Sequence, residues 1–301
     1  MTDLGVITHF EVGSCGHVPR CVSVFRMNTR YEHISILGLG AMGRALADAL
    51  LGAGREVTVW NRSAGKAGEL VARGAKEASS VGEAVAAGDL TVICLLDDAS
   101  VRETLTPVLS DLTGTTLVNV TSGSVRQARA LAGWLEGHGV RFLAGGIMAV
   151  PQSVGTPGAF ILYSGPRDLF DRVAPVLGPM GRAHWVGEDA GFAALYDMAA
   201  LSGMYGMGAG TDHAVTLVHA EGGDLETFKR EVLRPWLEQM LPISVDGADA
   251  SASVPDEYNP AMQAVGLENL LAASGEAGVP AELAGHLSAS LWRMRRAVAN
   301  G

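Results

Sequence analysis

The sequence predicts two unlike halves: a doubly wound α/β N-terminal domain and an all-α C-terminal domain, joined by a long interdomain helix. Three observations carry this reading. Short apolar runs alternate with helical stretches from Ile34 to near Gly187, helical spacing alone follows from Gly191, and 301 residues suit two domains of about 150 each.

Taken in order, Ile34–Leu37 reads as a strand, Ala41–Ala53 as a helix and Glu56–Trp60 as a second strand. A helix over Ala64–Ala72 follows. Leu90–Leu95, Thr116–Val120, Arg141–Ala144 and Ala159–Tyr163 continue the series of strands. Apolar strands alternating with helices predict a parallel sheet covered on both faces. The alternation stops near Trp185-Val186-Gly187, which puts the domain boundary at about 188/189. Beyond it, breaks at Gly222-Gly223, Asp246–Pro255 and Gly278–Pro280 divide the helices. Met198–Thr211 carries no charge yet keeps helical spacing. A helix apolar all round is buried on all sides, and at a domain junction this predicts a packing core shared by two subunits. Residues 1–30 show no sustained period and are read as a flexible extension, with no function assigned.

Hydrophobic residues make up 48% of the chain and charged residues only 18%, so it folds as a globular protein. Lys plus Arg number 22 against 32 Asp plus Glu, a net charge of −10 without a basic run. That balance excludes nucleic acid and anionic membrane as expected partners. No leader pattern and no apolar run of ~18 residues is present, so a cytoplasmic location is expected. Cys15, Cys21 and Cys94 make neither a disulfide framework nor a metal spacing. Cys94 sits in the apolar run Val92–Leu96 and reads as a buried free thiol.

Gly38-Leu39-Gly40-Ala41-Met42-Gly43 is a G-x-G-x-x-G turn between a strand and a helix, the context that makes the motif specific. The first glycine makes the turn, the second lets backbone amides approach a pyrophosphate, and the third lets helix pack on strand. This is the signature of a Rossmann dinucleotide site. At the end of the second strand an Asp or Glu would select the ribose of NAD. Here Asn61-Arg62-Ser63 and then Lys66 stand instead. Two cations and a hydroxyl match a 2′-phosphate, which points to NADPH.

Asp197 is the sole charged residue between Asp189 and Asp212, inside the apolar helix. Buried there, its carboxyl would take a raised pKa and hold a proton near neutrality; at the helix surface it would be an ordinary solvated acid. Tyr205, eight residues on, falls on much the same face, where a tyrosine serves packing as readily as chemistry.

The glycine turn, Trp60-Asn61-Arg62-Ser63, Cys94-Leu95-Leu96, Val118-Asn119-Val120-Thr121, Gly145-Gly146-Ile147-Met148-Ala149-Val150-Pro151, Leu195-Tyr196-Asp197 and Leu201-Ser202-Gly203-Met204-Tyr205-Gly206 together resemble the imine reductase and reductive aminase family. The resemblance runs from about residue 33 to at least residue 275. It implies NADPH-dependent reduction of C=N bonds to amines. It also implies a Rossmann domain (31–188) and an interdomain helix with a helical dimerisation and substrate domain (189–301), exchanged between subunits of a homodimer.

By the same resemblance, Gly38–Gly43, Asn61, Arg62, Ser63, Lys66, Leu95, Leu96, Asn119 and Thr121 hold NADPH. Asp197 matches the proton-donor position and Tyr205 a tyrosine of the cleft. Met148, Trp236, Met262 and Gln263 match substrate-pocket positions. One position departs: Ser122, in Thr121-Ser122-Gly123, stands where reductive aminases commonly carry Asn.

Two other readings compete. The β-hydroxyacid dehydrogenases share the fold but use a lysine on the interdomain helix. This chain has only Lys66, Lys76 and Lys229, and Lys229 lies on a solvated helix face. An NADPH-sensing protein without turnover would keep the glycine turn but have no need of Asp197.

Overall fold

The computed structural model describes residues 31–248 and 259–300. The extension 1–30 with Cys15 and Cys21, most of the Asp246–Pro255 break, and Gly301 lie outside the described residues.

β1 (His33–Leu37), α1 (Ala41–Gly52), β2 (Glu56–Trp60), α2 (Gly68–Ala72) and β3 (Lys76–Glu77) open the chain. α3 (Val81–Ala87), β4 (Leu90–Ile93), α4 (Asp98–Leu105), β5 (Thr116–Asn119), α5 (Val125–Glu136) and β6 (Arg141–Met148) follow. β7 (Phe160–Ser164), α6 (Arg167–Leu177) and β8 (Arg182–Gly187) complete an eight-stranded sheet in the order β3-β2-β1-β4-β5-β6-β7-β8. The chain leaves β1 towards β2 on one side and β4 on the other, so the crevice for a ligand lies at their carboxyl ends.

The sheet is covered on both faces, as expected of its continuous apolar strands. One core packs α1 and α6 against Ile36, Val92, Val118 and Leu143; the other packs α3 and α5 against Ile93, Leu117 and Phe142. α1 shows how the pattern works, since Gly43, Leu46, Ala47 and Leu50 are its buried residues, on one helical stripe.

Two expectations need correction here. The sheet is not wholly parallel: β6 and β7 pair antiparallel, with Gly146 opposite Leu162. The connection between them holds a 3₁₀ turn at Pro151–Ser153 and no α-helix, and parallel neighbours need a longer crossover, usually helical. The helix expected over Ala64–Ala72 begins only at Gly68, because Gly65 takes a left-handed φ of +79° that an α-helix cannot contain.

α7 (Phe192–Ala220) is a single helix of 29 residues. α8 (Leu225–Thr227) continues through a π-helical turn at Phe228–Leu233 into α9 (Arg234–Asp246). α10 (Pro260–Glu276) and α11 (Gly285–Asn300) end the described chain. Ala264, Leu291 and Met294 form a small core between these last two. His213 of α7 reaches it through Ser274, whose Oγ lies 2.9 Å from His213 Nε2 and donates to Leu270 O at 2.6 Å. That leaves the serine oxygen to accept, so His213 carries its proton on Nε2.

Among the described residues of one chain the apolar stretch of α7 is only partly covered: Ala193, Ala194, Asp197 and His213 are buried, and Met204, Tyr205 and Met207 stand exposed. None of α9 is buried. No helix among the described residues is long and apolar enough to cross a membrane.

Candidate active site

The glycine turn has the geometry its spacing requires. Gly38 takes φ +103° and donates from its backbone N–H to Trp60 O at 2.9 Å. A side chain there would strike the Cys94 carbonyl, and one at Gly43 would strike the Gly38 carbonyl. A Cβ on Gly40, in contrast, would meet nothing within 4 Å. Gly40 is also the N-cap of α1 and supplies no side-chain cap. The first N–H groups of the helix thus have no side-chain cap, and a helix N-terminus in that state suits an anion in both hydrogen bonding and dipole. These residues fit a pyrophosphate.

Asn61 shapes the turn from β2. Its Oδ1 accepts from Leu39 N at 2.9 Å, and its Nδ2 donates to Ser63 O at 3.0 Å. Arg62, Ser63 and Lys66 are exposed beyond it, on the rim of the crevice. Arg62 Nη1 lies 3.3 Å from Glu103 Oε2 of α4, with both side chains largely in solvent. Such a pair is worth little, so an incoming phosphate can replace it. Glu103 carried no signal in the sequence, because it reaches Arg62 from a different element.

At the carboxyl ends of β4 and β5, Leu95 N donates to Thr121 Oγ1 at 3.0 Å and Thr121 N to Asn119 Oδ1 at 3.1 Å. This ties the two loops together and leaves Leu96 exposed at the lip. Cys94 beneath them is a free thiol whose pKa burial pushes up to about 11, so it stays protonated and inert.

Asp197 lies on the second turn of α7 and is only 6% exposed. Burial holds its carboxyl above the usual aspartate range. It shares a cavity with Asn119, Thr121, Ser122, Gly145 and Ala194. Asp98 and Gln127 line the same space, and neither stood out in the sequence. Gln127 belongs to a capping box with Ser124 that starts α5 immediately after Ser122 and Gly123.

The base of α7 is held firmly. Ser164 Oγ accepts from Ala193 N at 3.0 Å and donates to Ala190 O at 2.9 Å. Arg129 grips Asp189 through two nitrogens, at 2.9 and 2.7 Å, and this pairing draws the Asp189 carboxyl below its usual range.

The remaining expected residues are not brought to that cavity within one chain. Met148 is half-buried at the end of β6, Tyr205 is 69% exposed, and Trp236 and Met262 are 57% and 63% exposed. Gln263 is half-buried on α10.

Residues 33–187 match the NAD binding domain of 6-phosphogluconate dehydrogenase, and residues 189–301 match the C-terminal domain of NADPH-dependent reductive aminase-like proteins. An NADPH-dependent reductive aminase of Aspergillus oryzae is 42% identical over 262 residues, 84% of this chain and 88% of that one. The chain belongs to the reductive aminase and imine reductase family.

Solved structures agree. A reductive aminase from Aspergillus terreus, in complex with NADPH4, cyclohexanone and allyl amine, matches with a TM-score of 0.79 at 42% identity, covering 90% of this chain and 95% of that one. An imine reductase from Myxococcus stipitatus in complex with NADP+ matches with a TM-score of 0.78 at 32% identity, covering 89% and 95%. Against this family the missing lysine falls into place. Between Phe192 and Thr211 the interdomain helix carries one charged group, and it is an acid.

Proposed function

We propose that this imine reductase uses NADPH to reduce cyclic imines, and the imines formed from a ketone and an amine, with Asp197 as the acid that faces the C=N bond. The observation that carries the proposal is the buried Asp197 carboxyl in the cavity it shares with Asn119, Thr121, Ser122 and Gly145.

NADPH, when bound, supplies hydride to the substrate carbon. Gly40 and the first turn of α1 would hold its pyrophosphate, Arg62, Ser63 and Lys66 its 2′-phosphate, and Leu95, Leu96, Asn119 and Thr121 the remainder. A neutral imine is a poor hydride acceptor, since addition leaves charge on nitrogen; an iminium is a good one. Asp197 serves this need in either protonation state. Protonated, it donates to the imine nitrogen, and burial favours that form. Ionised, it places a fixed negative charge against the iminium. Ser122, which lines the same cavity, offers one hydroxyl to an amine or carbinol on its way to the imine.

Tyr205, Trp236, Met262 and Gln263 belong, in this proposal, to a pocket completed by a second copy of the chain. The exposed apolar residues of α7 and α9 support a homodimer, because apolar surface of that extent is rarely left to water.

The test is NADPH depletion with cyclic imines, with ketone and amine pairs, and with hydroxyacids run in reverse. Turnover of the first two and none of the third is expected. Hydroxyacid oxidation without imine turnover overturns the proposal, and NADPH binding without any turnover points to a sensor.

A further inference from the structure

The geometry points to Gly146 as a positioning residue for Asp197, the contact that fixes where the carboxyl sits and keeps water from it. This rests on the reading of Asp197 given above. Gly146 lies on β6 opposite Leu162 of β7, on the face that carries the first turns of α7. A Cβ built on it would stand 3.0 Å from Asp197 Cβ, 3.2 Å from Ala193 O and 3.4 Å from Asp197 Cγ. Distances of 3.0–3.4 Å are tighter than nine in ten real Cβ contacts. The backbone of β6 is therefore the surface on which this aspartate rests, and it can be approached only because residue 146 has no side chain.

The helix has no easy retreat from that surface. Ala193, one turn before Asp197, is fully buried, and its N–H is held by the buried Ser164 hydroxyl. Arg129 pins the preceding loop through Asp189. A methyl group at 146 must then either turn the Asp197 side chain or lift the first turns of α7. Both move the carboxyl and admit water. Asp98 is the other titratable group lining the cavity, and its carboxylate is paired with Arg102 at 3.0 Å, so the free acid of the site is Asp197.

The test is Gly146→Ala, read through kcat for a cyclic imine across pH, NADPH affinity, and the same substitution in an Asp197→Asn background. Relieving the contact shifts Asp197 by a few tenths of an ångström, less than the displacement of about 1 Å that can cost about a hundredfold, so a loss of about threefold to tenfold in kcat is expected. NADPH affinity should stay within about twofold, since the glycine turn is untouched. The limb of the pH profile that belongs to Asp197 should move to lower pH, because a better-hydrated carboxyl ionises more readily. In the Asp197→Asn background the alanine should cost nothing further. A wild-type kcat and profile in Gly146→Ala overturn the inference, as does an equal loss in both backgrounds. Full activity of Asp197→Asn alone overturns the reading beneath it instead. Should Gly146→Ala not fold, Ser164→Ala, which frees Ala193 N without a clash, must move the same limb in the same direction; an unmoved limb counts against the inference.

Discussion

Phe142 and Tyr163 in the sheet are almost wholly hidden by their own chain, whereas Trp236 and Met262 in the helices beyond Phe192 are 57% and 63% exposed. The sheet carries two cores, one on each face, while α10 and α11 share a core of three buried residues. The difference lies in where the covering surface comes from. Around the sheet, the helices that cover the strands come from the same chain, interleaved with them in sequence. Among the described residues the apolar faces of α7 and α9 have no such cover.

Asp197 sits where the two regions meet, and it should give the largest effect. Asp197→Asn, nearly the same size, should lower kcat for a cyclic imine by about 10²–10⁴-fold, the usual range for a general acid. Steady-state kinetics with a permanently charged N-methyl iminium then separates its roles. A pure donor becomes dispensable there, while an anionic stabiliser does not.

A pair of truncations sharpens the contrast between the regions themselves. Leu143→Ala, in the heart of the sheet, should destabilise the protein by about 2–5 kcal/mol in a urea titration. Trp236→Ala should leave that transition in place and raise the dissociation constant of the dimer by more than about tenfold, as large aromatic anchors do. Similar unfolding losses from both would erase the distinction.

Within the first region, Arg62→Ala should raise the KM for NADPH at least tenfold and leave NADH kinetics nearly unchanged. A hydrogen bond to a charged group contributes about 1.5–3 kcal/mol, and the exposed Glu103 is a weak competitor for Arg62. Equal losses with both cofactors would remove the 2′-phosphate from the account.

The smallest effect belongs to the second region and depends on pH. Burial, and then the neighbouring His286, hold the His213 pKa below its ordinary value of 6.5. Its folded form therefore prefers the neutral ring. The stability this brings is complete above the unfolded value and is lost as pH falls below it towards the folded value. The unfolding free energy should fall between about pH 7.5 and pH 5.5 by no more than about 1 kcal/mol, the worth of one neutral hydrogen bond. His213→Gln, which retains a donor for Ser274, should flatten that slope.

What could be read from the sequence follows the same division. The strands around the glycine turn, and the turn itself, are set by residues adjacent in the chain, so alternation and spacing were enough. Asp197 was legible because a lone charge in an apolar helix is conspicuous. The antiparallel β7 was overlooked, although the stretch from Ala149 to Ala159, with Pro151, Gly155, Pro157 and Gly158, offers no crossover helix. Glu103 and Ser164 left no local signal, since each matters through a partner from a distant element; Gly146 stands in the Gly145–Pro151 motif, but its contact with Asp197 is visible only in the fold. The composition of α7 predicts burial shared with a second subunit, and the described residues of its own chain supply only part of that cover.

That last point is the one to measure. Sedimentation of the wild-type protein at assay concentration, with NADPH turnover followed in the same fractions, asks directly whether a second copy completes the helical region. Activity should travel with a species of twice the 31.2 kDa chain. A fully active monomer would contradict the account.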